Sequence, residues 1–341
     1  MSSPLLATPG AVPAAGLDAG VAAHYGDPVR EQRAMARAAG LVDRSHHGVV
    51  SVTGPDRLSW LHSLTSQHLE ALPAGSTAQA LILDPNGRVE HHLTLTDDGS
   101  TTWIHVEPGT APALVEFLDS MRFMLRVEVA DVTADYAVLS VAGPDAATAA
   151  APLAAVAAGQ TEGAVGTDYL VPRGQLAELA AAAGDGGAKL AGIWAYEAFR
   201  IAAHQVRYGL DTDHKTIPHE VGWIESAVHL SKGCYRGQET VARVHNLGHP
   251  PRRLVFLHLD GSVDRLPGHG DEVELDGKAV GFVGSAARHF ELGPIGLALV
   301  RRTTPVEATL VAGGVAAAQE VIVPPDAGAN VTIDRAAFAR R

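Results

Sequence analysis

The residues with the clearest chemical potential lie between Lys232 and Glu239, in the sequence KGCYRGQE. Cys234 is the one cysteine of the chain, and a thiol becomes a nucleophile or a ligand only as its thiolate. Lys232 and Arg236 place positive charge on both sides of it. The residues from Gln238 onward have a helical pattern, and a helix N-terminus favours an anion close to it. These features favour a reactive thiol, but a buried cysteine that packs as a small hydrophobe is an equally good interpretation of the residues alone.

The composition limits what the whole chain does. Its 341 residues suggest two or three domains, at about 150 residues per domain. Hydrophobic residues make up 46% of the chain, which is enough for a packed core. The formal net charge of −12 excludes non-specific wrapping of nucleic acid, which needs a basic surface.

The cysteine content and the N-terminal residues bear on location. One cysteine excludes an intramolecular disulfide, a zinc site with several thiolates and a private iron–sulfur cluster. Residues 1–24 are rich in Ala, Pro and Gly and lack the basic start of a secretory signal, so we expect a disordered arm there. No apolar run approaches the ~18 residues of a membrane span. We therefore expect a soluble cytoplasmic protein with no membrane partner.

Two segments look like copies of one supersecondary unit. Val49–Leu64 and Val138–Leu153 each read as a β-branched strand, then Gly-Pro-Asp, then a helical pattern. Proline fits the first turn of a helix and aspartate suits its positive end. The repetition predicts two similar α+β subdomains; chance use of a common helix-start signal is the alternative.

The remaining patterns complete the predicted architecture. Strands are expected at 80–84, 89–96, 102–106, 126–132 and 136–141, with a hairpin turn at 85–87. Helices are expected at 111–118 and 190–206. After Pro250-Pro251, short strands and the Asp276-Gly277 turn predict a small barrel or sandwich. The expected divisions are therefore 25–250, with a second subdomain at roughly 131–190, then a barrel at 251–325 and a tail at 326–341.

The cysteine motif also carries a family resemblance. KGCYRGQE, followed by VARVHNLG and then by Arg252-Arg253-Leu254, resembles the signature of the YgfZ family. Members of that family have a folate-binding fold and are implicated in iron–sulfur cluster assembly and repair, and they are related to the aminomethyltransferase (T-protein) of the glycine cleavage system. The resemblance extends from about Tyr25 to Val323 and includes LVDRSHHGVVSVTGPD, LILDPNGRV and VRYGLD.

The resemblance implies a fold and a set of site residues. The fold is α+β, with two intertwined ferredoxin-like subdomains around a central opening and a C-terminal β-barrel. Cys234 is the implied functional thiol, in a motif completed by Lys232, Gly233, Tyr235, Arg236, Gly237, Gln238 and Glu239. The residues that would bind a ligand in the opening are Arg200, Glu220, Trp223, His91, His92 and Arg122.

Two positions depart from the transferase pattern. His91-His92 stands where the aminomethyltransferases carry a pair of aspartates, and Ala202 stands where relatives carry a glutamate that holds the pterin ring. An alanine cannot accept the ring N–H bonds that a carboxylate accepts. Aminomethyl transfer is therefore not expected, whereas binding of tetrahydrofolate or a related ring ligand stays open. No metal site is expected, because adjacent histidines on a strand point to opposite faces.

Three functions follow from these residues. The first is an accessory protein, not a classical enzyme, that contacts iron–sulfur proteins or cluster carriers transiently through Cys234 and supports clients such as aconitase or radical-SAM tRNA-modifying enzymes. The second is a folate-dependent one-carbon transferase. The third is a non-enzymatic cofactor-binding module in which Cys234 is only structural.

Overall fold

The computed structural model describes residues 1–163 and 165–328. The strands of these residues form two five-stranded sheets, a closed six-stranded barrel and a small two-stranded sheet. The strands are β1 (Val12–Pro13), β2 (Ala22–His24), β3 (Gly40–Asp43), β4 (Gly48–Thr53), β5 (Thr77–Leu83), β6 (Val89–Asp97), β7 (Thr101–Val106), β8 (Glu128–Asp131), β9 (Tyr136–Ala142), β10 (Gly159–Glu162), β11 (Thr167–Pro172), β12 (Lys189–Ala191), β13 (Arg252–Leu259), β14 (Glu272–Leu275), β15 (Lys278–His289), β16 (Gly293–Arg301), β17 (Leu310–Ala312) and β18 (Val315–Val321). The helices are α1 (Pro28–Arg37), α2 (Arg57–Leu64), α3 (Ala111–Ser120), α4 (Ala146–Ala149), α5 (Ala151–Ala154), α6 (Leu176–Asp185), α7 (Ile193–Ala202), α8 (Trp223–Ser226) and α9 (Gln238–Leu247).

The first sheet has the order β5-β6-β7-β4-β8 and is antiparallel throughout. One of its faces is covered by α2 and α3, since Trp60 and Leu61 of α2 and Leu114 and Leu118 of α3 are buried in one cluster with strand residues such as Leu93. Alternation along the strands leaves the opposite face free to line the centre of the molecule.

The second sheet has the order β10-β11-β9-β3-β12, and β12 pairs with β3 in parallel. Strand β3 precedes the whole first sheet in the chain but pairs with β9, which follows it. The chain therefore crosses between the sheets more than once, which intertwines the two units. The core of the second unit includes Leu41, Leu139, Leu153 and Leu179.

The barrel closes in the order β13-β16-β15-β14-β17-β18. Helix α7 lies against it, because Ala198 and Ile201 share a buried cluster with Leu254, Phe256 and Leu297. The structure thus confirms the predicted α+β class with a C-terminal β-barrel. The barrel hairpin at Asp276-Gly277 is present as expected, with φ of 51° and 72° at the two residues.

Each of the two Gly-Pro-Asp units follows an inner strand of its sheet. Gly54 follows β4 with φ of 109°, and Gly143 follows β9 with φ of 121°. A Cβ at these glycines would lie 2.1 Å from the carbonyl oxygen of Arg126 and 2.3 Å from that of Ala38. Each glycine thus allows a neighbouring backbone to approach closely, because a side chain would collide with that carbonyl oxygen.

Several predicted boundaries differ from the structure. Residues 1–24 do not form a disordered arm: they contain β1, β2 and 3-10 helices at Pro4–Ala7 and Gly16–Asp18. Leu5 and Val21 are buried there, which stabilises a segment whose composition looked unstructured. The helix expected at 190–206 is shorter, because Lys189–Ala191 pairs with β3 and Gly192 packs against the backbone of Ala23.

Two further observations concern the C-terminal tail and the character of the helices. Of the expected tail at 326–341, residues 329–341 lie outside the described residues. Within the described part of the chain, no helix combines the length and the apolar character that crossing a membrane requires.

Candidate functional site

The loop that carries the cysteine motif, residues 231–237, is fixed at its start by a buried lysine. Lys232 is 7% exposed, and its Nζ donates to the carbonyl oxygens of His62, Thr65 and Gln67, at 3.1 Å for Gln67. These carbonyls lie at and after the end of α2, where a cation meets the negative end of the helix. Burial lowers the pKa of Lys232 to about 8.

Tyr235 fixes the middle of the motif loop. It belongs to a buried cluster with Leu81, Trp223 and Val241, and the Lys232 ammonium lies 5.1 Å from the centroid of its ring. Burial raises the pKa of Tyr235 to about 12. The aromatic ring therefore acts as an anchor that places the adjacent Cys234 at the surface.

The end of the motif loop packs onto the β5–β6 turn. Gly237 has φ of 82°, and a Cβ there would lie 2.6 Å from the Asp84 carbonyl oxygen and 3.0 Å from Gly87 Cα. In return, a Cβ at Gly87 would lie 2.9 Å from Thr240 Cβ. The LILDPNGRV and KGCYRGQE segments, which are separated by more than a hundred residues in the sequence, thus form one contact.

Arg236 is paired away from the thiol. Its Nη1 lies 2.9 Å from Glu90 Oε2, and its guanidinium carbon lies 5.9 Å from the centroid of the Phe117 ring. Since Lys232 is turned onto backbone carbonyls, both cations that the sequence placed beside Cys234 have other partners. That electrostatic argument for a reactive thiol is therefore wrong.

Cys234 itself is a free cysteine and is exposed. The interpretation as a buried hydrophobe is accordingly wrong as well. Helix α9 begins at Gln238, with Gly237 as its N-cap, so the sulfur precedes the first helical turn by a few residues. The arrangement presents an accessible thiol on a loop that is anchored on both sides.

A central cavity lies between the two sheets, α7 and Trp223, with a volume of about 110 Å³. Charged and aromatic side chains dominate its walls. They are Arg44, His47, His92, His105, Glu107, Glu162, Asp168, Tyr196, Glu197, Arg200, Arg207 and Trp223.

Arg207 is the centre of a buried ion-pair network in this cavity. It is 5% exposed, and its guanidinium lies 2.9 Å from Asp18 Oδ1, 2.8 Å from Glu107 Oε2 and 3.2 Å from Glu197 Oε1. Although burial opposes ionisation, the hydrogen bond from His46 and the charge of Arg207 hold the pKa of Asp18 well below its usual range.

Arg200 extends the network towards the barrel. Its guanidinium lies 2.6 Å from Glu197 Oε2 and 2.8 Å from Asp211 Oδ2, and it donates to Ser285 Oγ of β15 at 2.8 Å. Against the effect of burial, Arg200 and Arg207 lower the pKa of Glu197. The predicted ligand residue Arg200 therefore already has protein partners for its guanidinium.

A second buried pair faces the same cavity. Arg44 Nη1 lies 2.6 Å from Asp168 Oδ2, and His105 Nε2 lies 3.9 Å from that oxygen. Burial lowers the pKa of His105 to about 4, and burial together with Arg44 holds the pKa of His47 well below its usual range. These histidines are neutral at neutral pH.

The two adjacent histidines of β6 point in different directions, as expected for a strand. His92 faces the central cavity, stacks on Trp223 with ring centroids 4.6 Å apart and contacts Gln79 at 3.2 Å. His91 lies instead 6.2 Å from the Phe117 ring of α3. Burial lowers the pKa of both imidazoles to about 4.

Among the predicted ligand residues, Arg200, Trp223 and His92 line the central cavity, and the others do not. Glu220 is fully buried and uses both carboxylate oxygens on Arg252 of β13, each at 2.8 Å. Arg122 lies beside Asp119 at 3.7 Å on the surface. The motif residues do not line the cavity, and Ala202 packs against the barrel cluster.

A larger groove adjoins the central cavity. It has a volume of about 790 Å³ and shares Gln79, Val206 and Trp223 with the cavity. His219 and His245 line it with ring centroids 6.0 Å apart. Sequence reasoning missed His219, Glu107, Glu197 and Arg207, because no local motif marks these residues.

Two family models match two separate parts of the chain, one in the sheet-forming region and one in the C-terminal barrel. The family model of the GCVT N-terminal domain matches residues 21–163, and that of the CAF17 C-terminal beta-barrel domain matches residues 252–327. This chain joins a GCVT N-terminal domain to a CAF17-type C-terminal barrel. The matches confirm the resemblance that the motifs indicated.

The relatives of this chain include proteins named as transferases and a protein named as an iron–sulfur cluster assembly factor homolog. A putative chloroplastic transferase of Arabidopsis thaliana is 26% identical, over 75% of this chain and 65% of that protein. An aminomethyltransferase of Nostoc sp. is 28% identical, over 80% of this chain and 79% of that protein. A protein of Mycosarcoma maydis named as a mitochondrial homolog of the iron–sulfur cluster assembly factor IBA57 is 27% identical, over 62% of this chain and 55% of that protein.

A solved structure confirms the fold. The glycine cleavage system aminomethyltransferase T from Bartonella henselae superposes with a TM-score of 0.81 at 20% identity, covering 94% of this chain and 96% of that one. At this identity the likeness establishes the architecture of this chain and not its activity.

The packing of Gly237 leads to a stability prediction. The substitution Gly237→Ala forces a side chain into positive φ and against the Asp84 carbonyl, so we expect a loss of about 2 kcal/mol in the free energy of unfolding. Gly233→Ala is the matched control, since nothing lies within 4 Å of a Cβ there. Chemical denaturation measures both variants. Equal stability of the two variants would show that the motif loop does not dock as described.

The lowered pKa of His92 leads to a pH prediction. His92 has a pKa of about 4 in the folded chain and about 6.5 when unfolded. The unfolded state therefore binds more protons between these values, and stability falls as pH drops from 6.5 towards 4. We expect His92→Phe, which keeps the stack on Trp223, to reduce that slope by up to about 1.4 kcal/mol per pH unit. Denaturation series from pH 7.5 to 5 measure it, and identical slopes in both proteins would contradict it.

Proposed function

We propose that this chain is an accessory protein for the assembly or repair of iron–sulfur clusters and that it acts through Cys234. The observation that carries the proposal is the position of the thiol. It is exposed, and Lys232, Tyr235 and Gly237 hold the loop around it against three separate parts of the fold. A solvent-accessible thiol in a fixed position is suited to contact a partner protein without rearrangement of the chain.

Two of the comparisons support the proposal. The barrel matches the CAF17 C-terminal domain, and one relative bears the name of an iron–sulfur cluster assembly factor. The Cys234 motif lies directly before that barrel, on the loop that leads into α9.

The cavity argues against aminomethyl transfer, although several relatives are named aminomethyltransferases. Its volume of about 110 Å³ is below the ~300–1,000 Å³ of small-molecule pockets. The neutral imidazole of His92 occupies the face where the resemblance implies an acidic side chain, and Ala202 packs on the barrel. The chain thus lacks the carboxylates that the resemblance implies for transfer.

A ring ligand such as tetrahydrofolate is better suited to the adjoining groove. The groove volume of about 790 Å³ is within the range of small-molecule pockets, and Trp223 forms part of its wall. In this proposal the ring ligand is an auxiliary to the thiol and is bound beside Trp223.

The chemistry of the thiol determines its partners. One thiolate supplies one bond to a cluster iron, and clusters are held by several ligands, so a partner must provide the rest. The cluster is therefore cargo, shared briefly with an iron–sulfur protein or a cluster carrier. A chain with one cysteine also suits a reducing compartment such as the cytoplasm.

Replacing Cys234 by serine in cells tests the proposal. We expect the activities of aconitase and of radical-SAM tRNA methylthiolation to fall several-fold at unchanged amounts of this protein, because serine is a poor ligand for iron. Ser231→Ala is the matched control, since Ser231 is an exposed neighbour on the same loop. Full activity of both client enzymes with Cys234→Ser would refute the role of the thiol.

A further inference from the structure

A pocket separate from the central cavity and its adjoining groove lies on the barrel side of the molecule, between α1, α7 and β15. Its volume is about 500 Å³, which is within the range of small-molecule pockets. It lies away from Cys234, and its apolar walls come from three different parts of the chain. They include Val29, Trp194, Leu210, Leu266, Pro267 and Ala286.

Trp194 is the most prominent part of this barrel-side pocket. It is 54% exposed, whereas Trp60 and Trp223 are 3% and 5% exposed. One ring neighbour is His24, at a centroid distance of 5.2 Å. Val29, at the same rim, is 39% exposed. A large aromatic ring left half exposed at the mouth of a cavity is a common feature of sites that bind flat apolar groups.

The floor of the barrel-side pocket is acidic. The side chains of Asp18 and Glu197 form this floor. Both also contact Arg207, which lines the central cavity. The same two carboxylates therefore separate the barrel-side pocket from the central cavity.

The charges at this floor are not balanced. Arg200 and Arg207 share four carboxylates, which are Asp18, Glu107, Glu197 and Asp211. Four carboxylates and two guanidinium groups leave a formal excess of two negative charges. Arg44 does not offset this excess, because it is paired with Asp168, and neither does Arg288, which lines the pocket but is paired with Asp264. An excess of buried negative charge is costly, so a cation at the floor would be stabilised.

We propose that the barrel-side pocket binds an organic cation with a flat apolar body, of the aromatic amine or amidine class. The cationic N–H groups donate to Asp18 and Glu197 at the floor, and the ring packs against Trp194 at the mouth. Apolar burial and charge compensation act on opposite ends of one ligand, which selects against neutral and anionic rings of the same shape. This site does not depend on the role proposed for Cys234.

Benzamidine is the probe that tests the proposal, with benzamide and benzoate as neutral and anionic rings of similar shape. We expect saturable binding of benzamidine by calorimetry, with an accompanying change in tryptophan fluorescence, at millimolar concentrations or below. Benzamide and benzoate should bind at least about tenfold more weakly, which corresponds to about 1.4 kcal/mol. Absence of saturable benzamidine binding, or equal affinity for all three rings, would overturn the proposal.

Two variants of the full chain locate the site. Trp194→Ala should weaken benzamidine binding by about tenfold or more, whereas Leu230→Ala, at another exposed apolar residue, should leave it unchanged. Both variants must retain the thermal unfolding midpoint of the wild type without ligand. Unchanged affinity in Trp194→Ala would place the bound ring elsewhere and would also overturn the proposal.

Discussion

The buried pairing of Arg207 with Asp18, Glu107 and Glu197 is the interaction on which the architecture depends. Asp18 comes from the N-terminal segment, Glu107 directly follows β7, and Glu197 lies in α7. Through Glu197, Arg200 continues the network to the barrel. In a low-dielectric interior such pairs are costly to form and still more costly to break, because a lost partner leaves a buried charge. The network therefore joins the N-terminal segment, the residue after β7, α7 and the barrel through charged side chains.

The same network lies at the central cavity. Charged side chains, among them Glu107, Glu197 and Arg207, line this cavity, which has a volume of about 110 Å³. The sites that stay accessible lie around it: the groove beside Trp223, the pocket beside Trp194 and the loop that carries Cys234. A fold can host different functions, so the architecture shared with the Bartonella henselae aminomethyltransferase does not by itself assign that activity to this chain.

Local patterns were sufficient to predict a large part of the structure. The barrel, the Asp276-Gly277 hairpin and the two glycine-ended strands follow from turn chemistry and alternation, which act over a few residues. The motif around Cys234 was recognised because its residues are contiguous. The N-terminal segment was missed because Ala and Pro give no periodic signal, although Leu5 and Val21 are buried there.

The contacts that decide the site could not be predicted in this way. Arg207 meets Glu107 and Asp18 across 100 and 189 residues of sequence, and the partners carry no motif. The same reason explains the error at the thiol: Lys232 and Arg236 seemed free to act on Cys234, but their partners lie 170 and 146 residues away. Charge next to a residue in sequence is a poor guide to charge next to it in space.

The free energy of unfolding of Arg207→Met tests the central role of the network most directly. Methionine keeps much of the side-chain volume but leaves Asp18, Glu107 and Glu197 without their shared cation. We expect a loss of about 3 kcal/mol or more at neutral pH. The control is Arg126→Met, which removes an exposed surface pair with Asp56 and should cost far less, because such pairs are screened by solvent. Equal losses in the two variants, or a more stable Arg207→Met protein, would contradict the account.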